Sequence, residues 1–252
     1  MKKMENWLEE LEEQYRITVL YACEAGSRVW NTDSKQSDFD IRFIFKYKDL
    51  KSYIALNPRP AVIDITQPFD AQGWDVRKAL QLAGKSNASL YEWAFTPLVY
   101  RDATGFGQRL RNMAESVFSP YSLFMHYGSL MARNLKEVTG KQRVAAKQVK
   151  QLIQAGRSFF IADYLATTNE ISSPYRILEA IYENPDTELI KNYMLLINSK
   201  KNGISPPAEA LQFVFVELEK QRALLSERRE NLIRSKISTA ELNDWLWELL
   251  EL

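Results

Sequence analysis

The spacing of hydrophobic residues changes once along the chain, close to Gly73. Before that point the pattern predicts an amphipathic helix over residues 4–16, followed by the apolar runs and period-two alternation that are typical of strands. The strand candidates are residues 18–23, 38–46, 61–66 and 69–71. In the second candidate, Asp38, Asp40 and Arg42 are expected on one face and phenylalanines on the other.

After Gly73 the pattern is helical almost to the end, with breaks rich in Ser, Pro, Asn and Gly. The predicted helices cover residues 74–83, 89–94, 108–118, 121–138, 143–166, 175–182, 187–197, 207–229 and 239–250. Ser238 and Glu241 predict a capping box for the last of them. We therefore predict an α+β fold, with a small mixed sheet and its helices in residues 1–100 and an all-helical bundle in residues 101–252.

Charge and cysteine content exclude several classes of protein. The 33 basic and 32 acidic residues of the 252-residue chain create no global field for nucleic acid, so RNA or DNA would need a local patch. The single cysteine, Cys23, allows no internal disulfide, and no Cys/His cluster suits zinc. No apolar stretch is long enough to span a bilayer, and the charged start is not a secretory signal. We expect a cytoplasmic protein without a membrane partner.

A turn and two aspartates form a pattern suited to a nucleoside triphosphate. Gly26 lets the backbone approach a phosphate closely, and Ser27 adds a hydroxyl beside neighbouring N–H groups. Asp38 and Asp40, at i and i+2 of a strand, would project from one face with Cα atoms about 7 Å apart. Carboxylates are ligands that magnesium prefers, and the metal would neutralise the triphosphate and align the attacking and leaving oxygens.

Residues 26–30 (GSRVW) and 37–42 (SDFDIR) resemble the signature of the DNA polymerase β-like nucleotidyltransferase superfamily. Further segments resemble a bacterial family of nucleotidyltransferases associated with RNA repair; they are 23–27 (CEAGS), 73–80 (GWDVRKAL), 85–87 (KSN), 92–93 (EW), Pro97 and 99–100 (VY). The resemblance spans about residues 17–100. It implies a nucleotidyltransferase core in residues 1–100, with a helical domain on the substrate side in residues 101–252.

The resemblance also implies the reaction and its residues. A nucleoside monophosphate would move from a triphosphate such as ATP to an acceptor hydroxyl, with magnesium or manganese held by Asp38 and Asp40. A third carboxylate on a later strand, Asp64 or Asp70, would be the general base, and Asp70 is favoured because it directly precedes a predicted helix. The nucleotide-binding candidates are Gly26, Ser27, Arg28, Arg42, Lys78, Lys85 and Asn87. Arg42 either neutralises phosphate or pairs with an aspartate, and the lysines are otherwise solvated helix charges.

The acceptor stays open at this point, as does the oligomeric state. Family association favours an RNA end, and a basic stretch either grips RNA phosphates or forms a solvated face. Its members are Arg133, Lys136, Lys141, Arg143, Lys147, Lys150 and Arg157. The alternatives are transfer to a small molecule such as an aminoglycoside or to a protein side chain, and a catalytically silent nucleotide-binding or antitoxin-like module.

Overall fold

A computed structural model describes residues 2–34, 37–139 and 145–252, and within them the chain forms five strands and twelve α-helices. The strands are β1 (Ile17–Glu24), β2 (Asp40–Tyr47), β3 (Val62–Ile65), β4 (Asp70–Asp75) and β5 (Val99–Arg101). The helices are α1 (Lys2–Tyr15), α2 (Gly26–Val29), α3 (Lys51–Ile54), α4 (Val76–Ala83), α5 (Ala88–Phe95), α6 (Phe106–Val117), α7 (Pro120–Thr139), α8 (Ala145–Thr168), α9 (Pro174–Glu183), α10 (Glu188–Asn202), α11 (Ala208–Glu227) and α12 (Thr239–Leu250). A 3₁₀ turn covers Arg228–Asn231.

The strands form one mixed sheet in the order β3-β4-β2-β1-β5. Strands β2 and β4 are parallel, and the other neighbouring pairs are antiparallel. This sheet, followed by a helical region, confirms the predicted α+β class.

The predicted end of the sheet at residue 71 was wrong, because β4 continues to Asp75. Gly73 pairs with Phe43 of β2, and a Cβ on this glycine would lie within 3 Å of three atoms of the phenylalanine ring. The backbone of β4 therefore satisfies its hydrogen bonds between β2 and β3, and helix α4 starts only at Val76.

Helices cover both faces of the sheet. On one face, Leu8 and Leu11 of α1 join Phe43 and Phe45 of β2 in a buried cluster. On the other, Trp74 of β4 stacks on Trp93 of α5, with ring centroids 4.2 Å apart.

The chain divides into two compact units. The sheet unit contains Met1–Val29, Asp38–Phe118 and Lys236–Leu252, and the helical unit contains Trp30–Ser37 and Ser119–Ser235. The division at residue 100 stays a prediction about which segments fold independently.

Helix α12 belongs to the sheet unit, where Trp245 stacks on Phe106 at 4.9 Å. The predicted capping box of this helix was wrong, since the side chain of Ser238 makes no capping hydrogen bond.

The helical unit has its own buried core, built mainly from α7, α8, α10 and α11. The hydroxyl of Tyr193, on α10, donates to the carbonyl of Ile153 on α8 at 2.6 Å. Trp30 also packs here, with its ring centroid 4.3 Å from that of Tyr175. Among the described helices, none combines the length and the apolar character that crossing a membrane requires.

Candidate active site

The end of β1 and the start of β2 lie side by side. Glu24 pairs with Ile41 in the antiparallel register, and the N–H of Ala25 donates to the carbonyl of Asp40 at 2.7 Å. The chain then turns through Gly26, whose φ of +68° is in the left-handed region that favours glycine. The predicted Gly-Ser turn is therefore held next to the first residue of β2.

Gly26 lies directly against the carboxylate of Asp40. A Cβ at this position would be 1.7 Å from Oδ2 of Asp40 and 2.5 Å from its Cγ. A side chain on residue 26 and the present position of the carboxylate therefore exclude each other. Besides any approach to phosphate, the glycine determines where the Asp40 carboxylate can lie.

Asp40 and Asp70 are direct neighbours across the parallel strands β2 and β4. They are Cα partners in the register, and adjacent strands lie about 4.8 Å apart. The guanidinium of Arg42 pairs with both: Nη2 is 3.6 Å from Oδ1 of Asp40, and Nη1 is 3.8 Å from Oδ1 of Asp70. The side chains of the two aspartates are 28% and 61% exposed, so both carboxylates are open to solvent.

Asp64 lies one strand further from Asp40. It pairs with Gln72 across β3 and β4, and Nε2 of Gln72 donates to its Oδ1 at 2.7 Å. Two strand spacings, about 10 Å, separate the backbone at Asp64 from β2. Of the two candidates for the third carboxylate, the structure thus places Asp70 beside Asp40, while the catalytic role of either stays a prediction.

The prediction that Asp38 shares a strand face with Asp40 was wrong. Strand β2 begins at Asp40, because β1 ends opposite Ile41 and β4 begins opposite Asp40, so neither neighbour extends to residue 38. Phe39 is correspondingly 38% exposed, and its ring lies 4.2 Å from the guanidinium carbon of Arg28. The side chain of Asp38 is exposed. Because Asp38 lies outside the strand, the spacing of about 7 Å expected from strand geometry does not apply to Asp38 and Asp40.

Glu24 is a fully buried carboxylate that sequence analysis did not single out. Its Oε1 accepts the backbone N–H of Asp40 at 2.8 Å, and its Oε2 accepts the hydroxyl of Tyr100. Burial, together with this hydrogen bond, raises the pKa of Tyr100, which keeps the hydroxyl a donor. Glu24 therefore fixes the backbone at the start of β2. The signal in the sequence was an acid ending an apolar run just before the Gly-Ser turn.

Arg28 follows the turn and has an unsatisfied donor. Its Nε lies 3.8 Å from Oε1 of Glu24, is buried, and has no hydrogen-bond partner in the described part of the chain. The Arg28 side chain as a whole is 33% exposed, so its guanidinium could also meet a phosphate oxygen beside the turn. Cys23, one residue before Glu24, is buried, and burial raises the pKa of its thiol, which disfavours the nucleophilic thiolate.

The later nucleotide-binding candidates lie on α4, just after it, and at the start of α5. Lys78 lines a pocket beside Asp75, which lies at the opposite end of β4 from Asp70, about 16 Å away by strand rise. Asp75 caps α4, and Asn87 caps α5. Lys85 is exposed just after α4. Contact of Lys78, Lys85 and Asn87 with a nucleotide stays a prediction.

The carboxylates fit a divalent cation that arrives with a triphosphate. Among the described residues, no three Asp, Glu, His or Cys side chains are grouped closely enough to hold a metal alone. Magnesium in nucleotide sites is held by one or two carboxylates together with phosphate oxygens and water, and Asp40 and Asp70 supply such a pair. Oxygen donors suit manganese equally well. The absence of a side chain at Gly26 is what allows the Asp40 carboxylate its present position.

Comparison with known proteins identifies the family. The model described as "RlaP: RNA repair pathway DNA polymerase beta family" matches residues 1–248. The chain belongs to this family. The RlaP match includes the helical unit, which carries little diagnostic sequence of its own, and it makes the protein a member of a polymerase β-like nucleotidyltransferase family of an RNA repair pathway. The "Uncharacterized protein YcgL" of Bacillus subtilis (strain 168) is 29% identical over 251 residues, which is 97% of this chain and 94% of that protein.

Proposed function

We propose that the protein transfers a nucleoside monophosphate from a nucleoside triphosphate to a hydroxyl at an RNA end and releases pyrophosphate. The observation that carries the proposal is the pair of solvent-facing carboxylates, Asp40 and Asp70, held beside the glycine turn at Gly26. Membership of an RNA repair family supports RNA as the acceptor.

Asp40, joined by Asp38 from the exposed segment before β2, would hold magnesium or manganese, and Asp70 would lie beside the cation. When bound, such a cation neutralises triphosphate charge and aligns the attacking and leaving oxygens. Backbone groups of the turn at Gly26 and Ser27, together with the partly exposed guanidinium of Arg28, would contact phosphate oxygens beside Asp40.

In the proposed step, the acceptor hydroxyl attacks the α-phosphorus. A new O–P bond forms while the bond from this phosphorus to the bridging oxygen breaks, and pyrophosphate leaves. A carboxylate of Asp70 takes the proton of the hydroxyl, acting as general base. Its 61% exposure leaves this side chain accessible to an acceptor.

The test is label transfer from each α-³²P nucleoside triphosphate, with magnesium, to RNA that ends in a free 3′-hydroxyl. The same RNA with a 3′-phosphate, an aminoglycoside and a protein mixture serve as other acceptors. We expect labelled RNA only with the free hydroxyl, and none with Asp40→Asn, a variant whose side chain is outside the core. Label on another acceptor would contradict the RNA assignment, and no label on any acceptor would favour a silent nucleotide-binding module.

A further inference from the structure

Three cations of the helical unit converge on the segment that follows α2. Lys150 and Arg157 are seven residues apart on α8 and so share a face, two turns apart. The guanidinium carbon of Arg157 lies 4.1 Å from the ring centroid of Trp30, and Nζ of Lys200, on α10, donates to the carbonyl of Thr32 at 2.6 Å. We call Lys150, Arg157 and Lys200 the cation cluster.

The cation cluster has more positive than negative charge around it. Burial lowers the pKa of Lys200, and the charges of Lys150 and Arg157 lower it further. The carboxylate of Asp33 raises this pKa, and among the described residues of the helical unit it is the acidic group that counters the two cations. Like charges held together raise the free energy of the site, and a bound anion removes that cost.

Arg157 is held ready for such an anion. Its guanidinium stacks on Trp30, which is itself stacked on Tyr175, so the orientation of the planar group is fixed. Its Nε is buried without a hydrogen-bond partner among the described residues. Because the Arg157 side chain is partly exposed, its planar guanidinium suits the geometry of phosphate, and the exposed Lys150 adds a second cation on the same face.

We propose that the cation cluster binds phosphate groups of single-stranded RNA. The inference rests on the proposed function in taking RNA as the acceptor. The cations on α8 extend over about 10 Å of helix, a length suited to successive phosphates of a chain. The triphosphate of the donor is the other source of the same chemistry, and the ATP measurements of the experiment distinguish it from RNA. The predicted members Lys141 and Arg143 of the basic stretch lie outside the described residues.

The experiment compares two double variants of the full chain. Lys150→Gln with Lys200→Gln removes two cluster charges. Lys191→Gln with Lys220→Gln removes two exposed charges of the helical unit that pair with glutamates on their own helices, at 3.0 and 3.5 Å. Fluorescence anisotropy with a labelled single-stranded RNA over a salt series gives the affinity and its salt dependence. Circular dichroism checks folding, and Lys150→Gln alone, at an exposed position, covers the case in which the double variant unfolds.

Loss of two contacts should reduce the slope of log affinity against log salt by about 1.4 and weaken RNA binding about 25-fold at 0.1 M salt. The control pair should match the wild type, and affinity for ATP with magnesium should not change in either variant. RNA affinity and slope equal to those of the control pair would overturn the proposal. A loss confined to ATP would overturn it too, because the cluster would then hold the donor triphosphate.

The outcome is separable from that of the proposed reaction. Asp40→Asn should leave RNA affinity and salt slope unchanged, because that carboxylate belongs to the sheet unit. Absence of label transfer by the wild-type protein would refute the reaction, whereas the anisotropy series decides RNA binding by the cluster regardless of turnover.

Discussion

Replacing Gly26 by alanine tests whether the position of the Asp40 carboxylate controls turnover. The new Cβ would start 1.7 Å from Oδ2 of Asp40, whereas ordinary van der Waals contact begins at 3.4 Å, so the carboxylate must retreat by about that difference. Misplacement of a reacting group by 1 Å costs on the order of 100-fold in rate. We therefore expect kcat/KM for nucleotidyl transfer to fall at least about 100-fold.

The same substitution also strains the backbone, and this effect must be separated. Alanine at a φ of +68° costs roughly 1–2 kcal/mol, which corresponds to a fall in Tm of about 2–8 °C for a protein of this size. Gly105 is a matched control in the sheet unit, with a φ of +67° and no atom within 4 Å of an added Cβ. Gly105→Ala should therefore lower Tm by a similar amount and retain wild-type turnover.

The assay is label transfer at saturating RNA and varied triphosphate, repeated over a magnesium titration well below the Tm of either variant. Gly26→Ala should lose activity that added magnesium does not restore. The loss comes from displacement of the Asp40 carboxylate and not from incomplete binding of magnesium. If Gly26→Ala and Gly105→Ala lose the same small amount, the position of Asp40 has no part in turnover, and the assignment of this edge of the sheet as the active site is refuted.

Three further predictions concern single residues. Asp70→Asn should lower kcat by orders of magnitude with little change in the KM for triphosphate. Asp64→Asn should stay near wild type, because only Asp70 adjoins Asp40. Equal, mild effects of the two substitutions in steady-state kinetics would exclude both residues as the base. Glu24→Ala should lower the free energy of unfolding by about 1–3 kcal/mol, because the N–H of Asp40 loses its acceptor. Glu24→Gln keeps an acceptor and should therefore retain most of the wild-type free energy of unfolding. Denaturant titrations measure both variants. Burial raises the pKa of Cys23, so less thiolate forms at any given pH, and a thiol reagent at pH 8 should react only as fast as the protein opens; rapid reaction of the folded protein would contradict this.

The helices of the fold were predictable wherever a single amphipathic face decides the structure. The amphipathic helix predicted over residues 4–16 corresponds to α1, whose buried residues Trp7, Leu8 and Leu11 lie at helical spacing. Helix α12 has the predicted bounds. In such segments the apolar stripe alone specifies both the helix and its buried side, so local pattern and tertiary packing agree.

The sheet was less predictable, because its edges depend on partners distant in sequence. The final residues of β4 contain Gly73 and Asp75, which local rules assign to a turn and a helix start, but pairing with β2 and β3 makes them strand. Strand β5 has only three residues and was missed. It is held by pairing with β1 and by ion pairs from Arg101 to Glu5 and Glu12 of α1.

At the candidate site, two residues of the motif, Gly26 and Asp40, lie next to each other because the end of β1 pairs with the start of β2. The motif could not supply the interaction of Glu24 with Tyr100, which joins positions 76 residues apart. It also misplaced Asp38, because where a strand begins is decided by the length of its neighbours rather than by its own alternation.

Arg42 shows how the site tolerates its own negative charge before any substrate arrives. The two readings of this residue, phosphate partner and aspartate partner, are compatible, because its distances of 3.6 and 3.8 Å to Asp40 and Asp70 exceed those of hydrogen bonds. Its firmest contact is a 2.8 Å hydrogen bond from Nη1 to the carbonyl of Ile41. Loose ion pairs at partly exposed carboxylates contribute little stability, about 0–1 kcal/mol, so little opposes their replacement by a divalent cation. A guanidinium released in this way would remain beside the cation, where the phosphates of an incoming triphosphate supply a new partner for it.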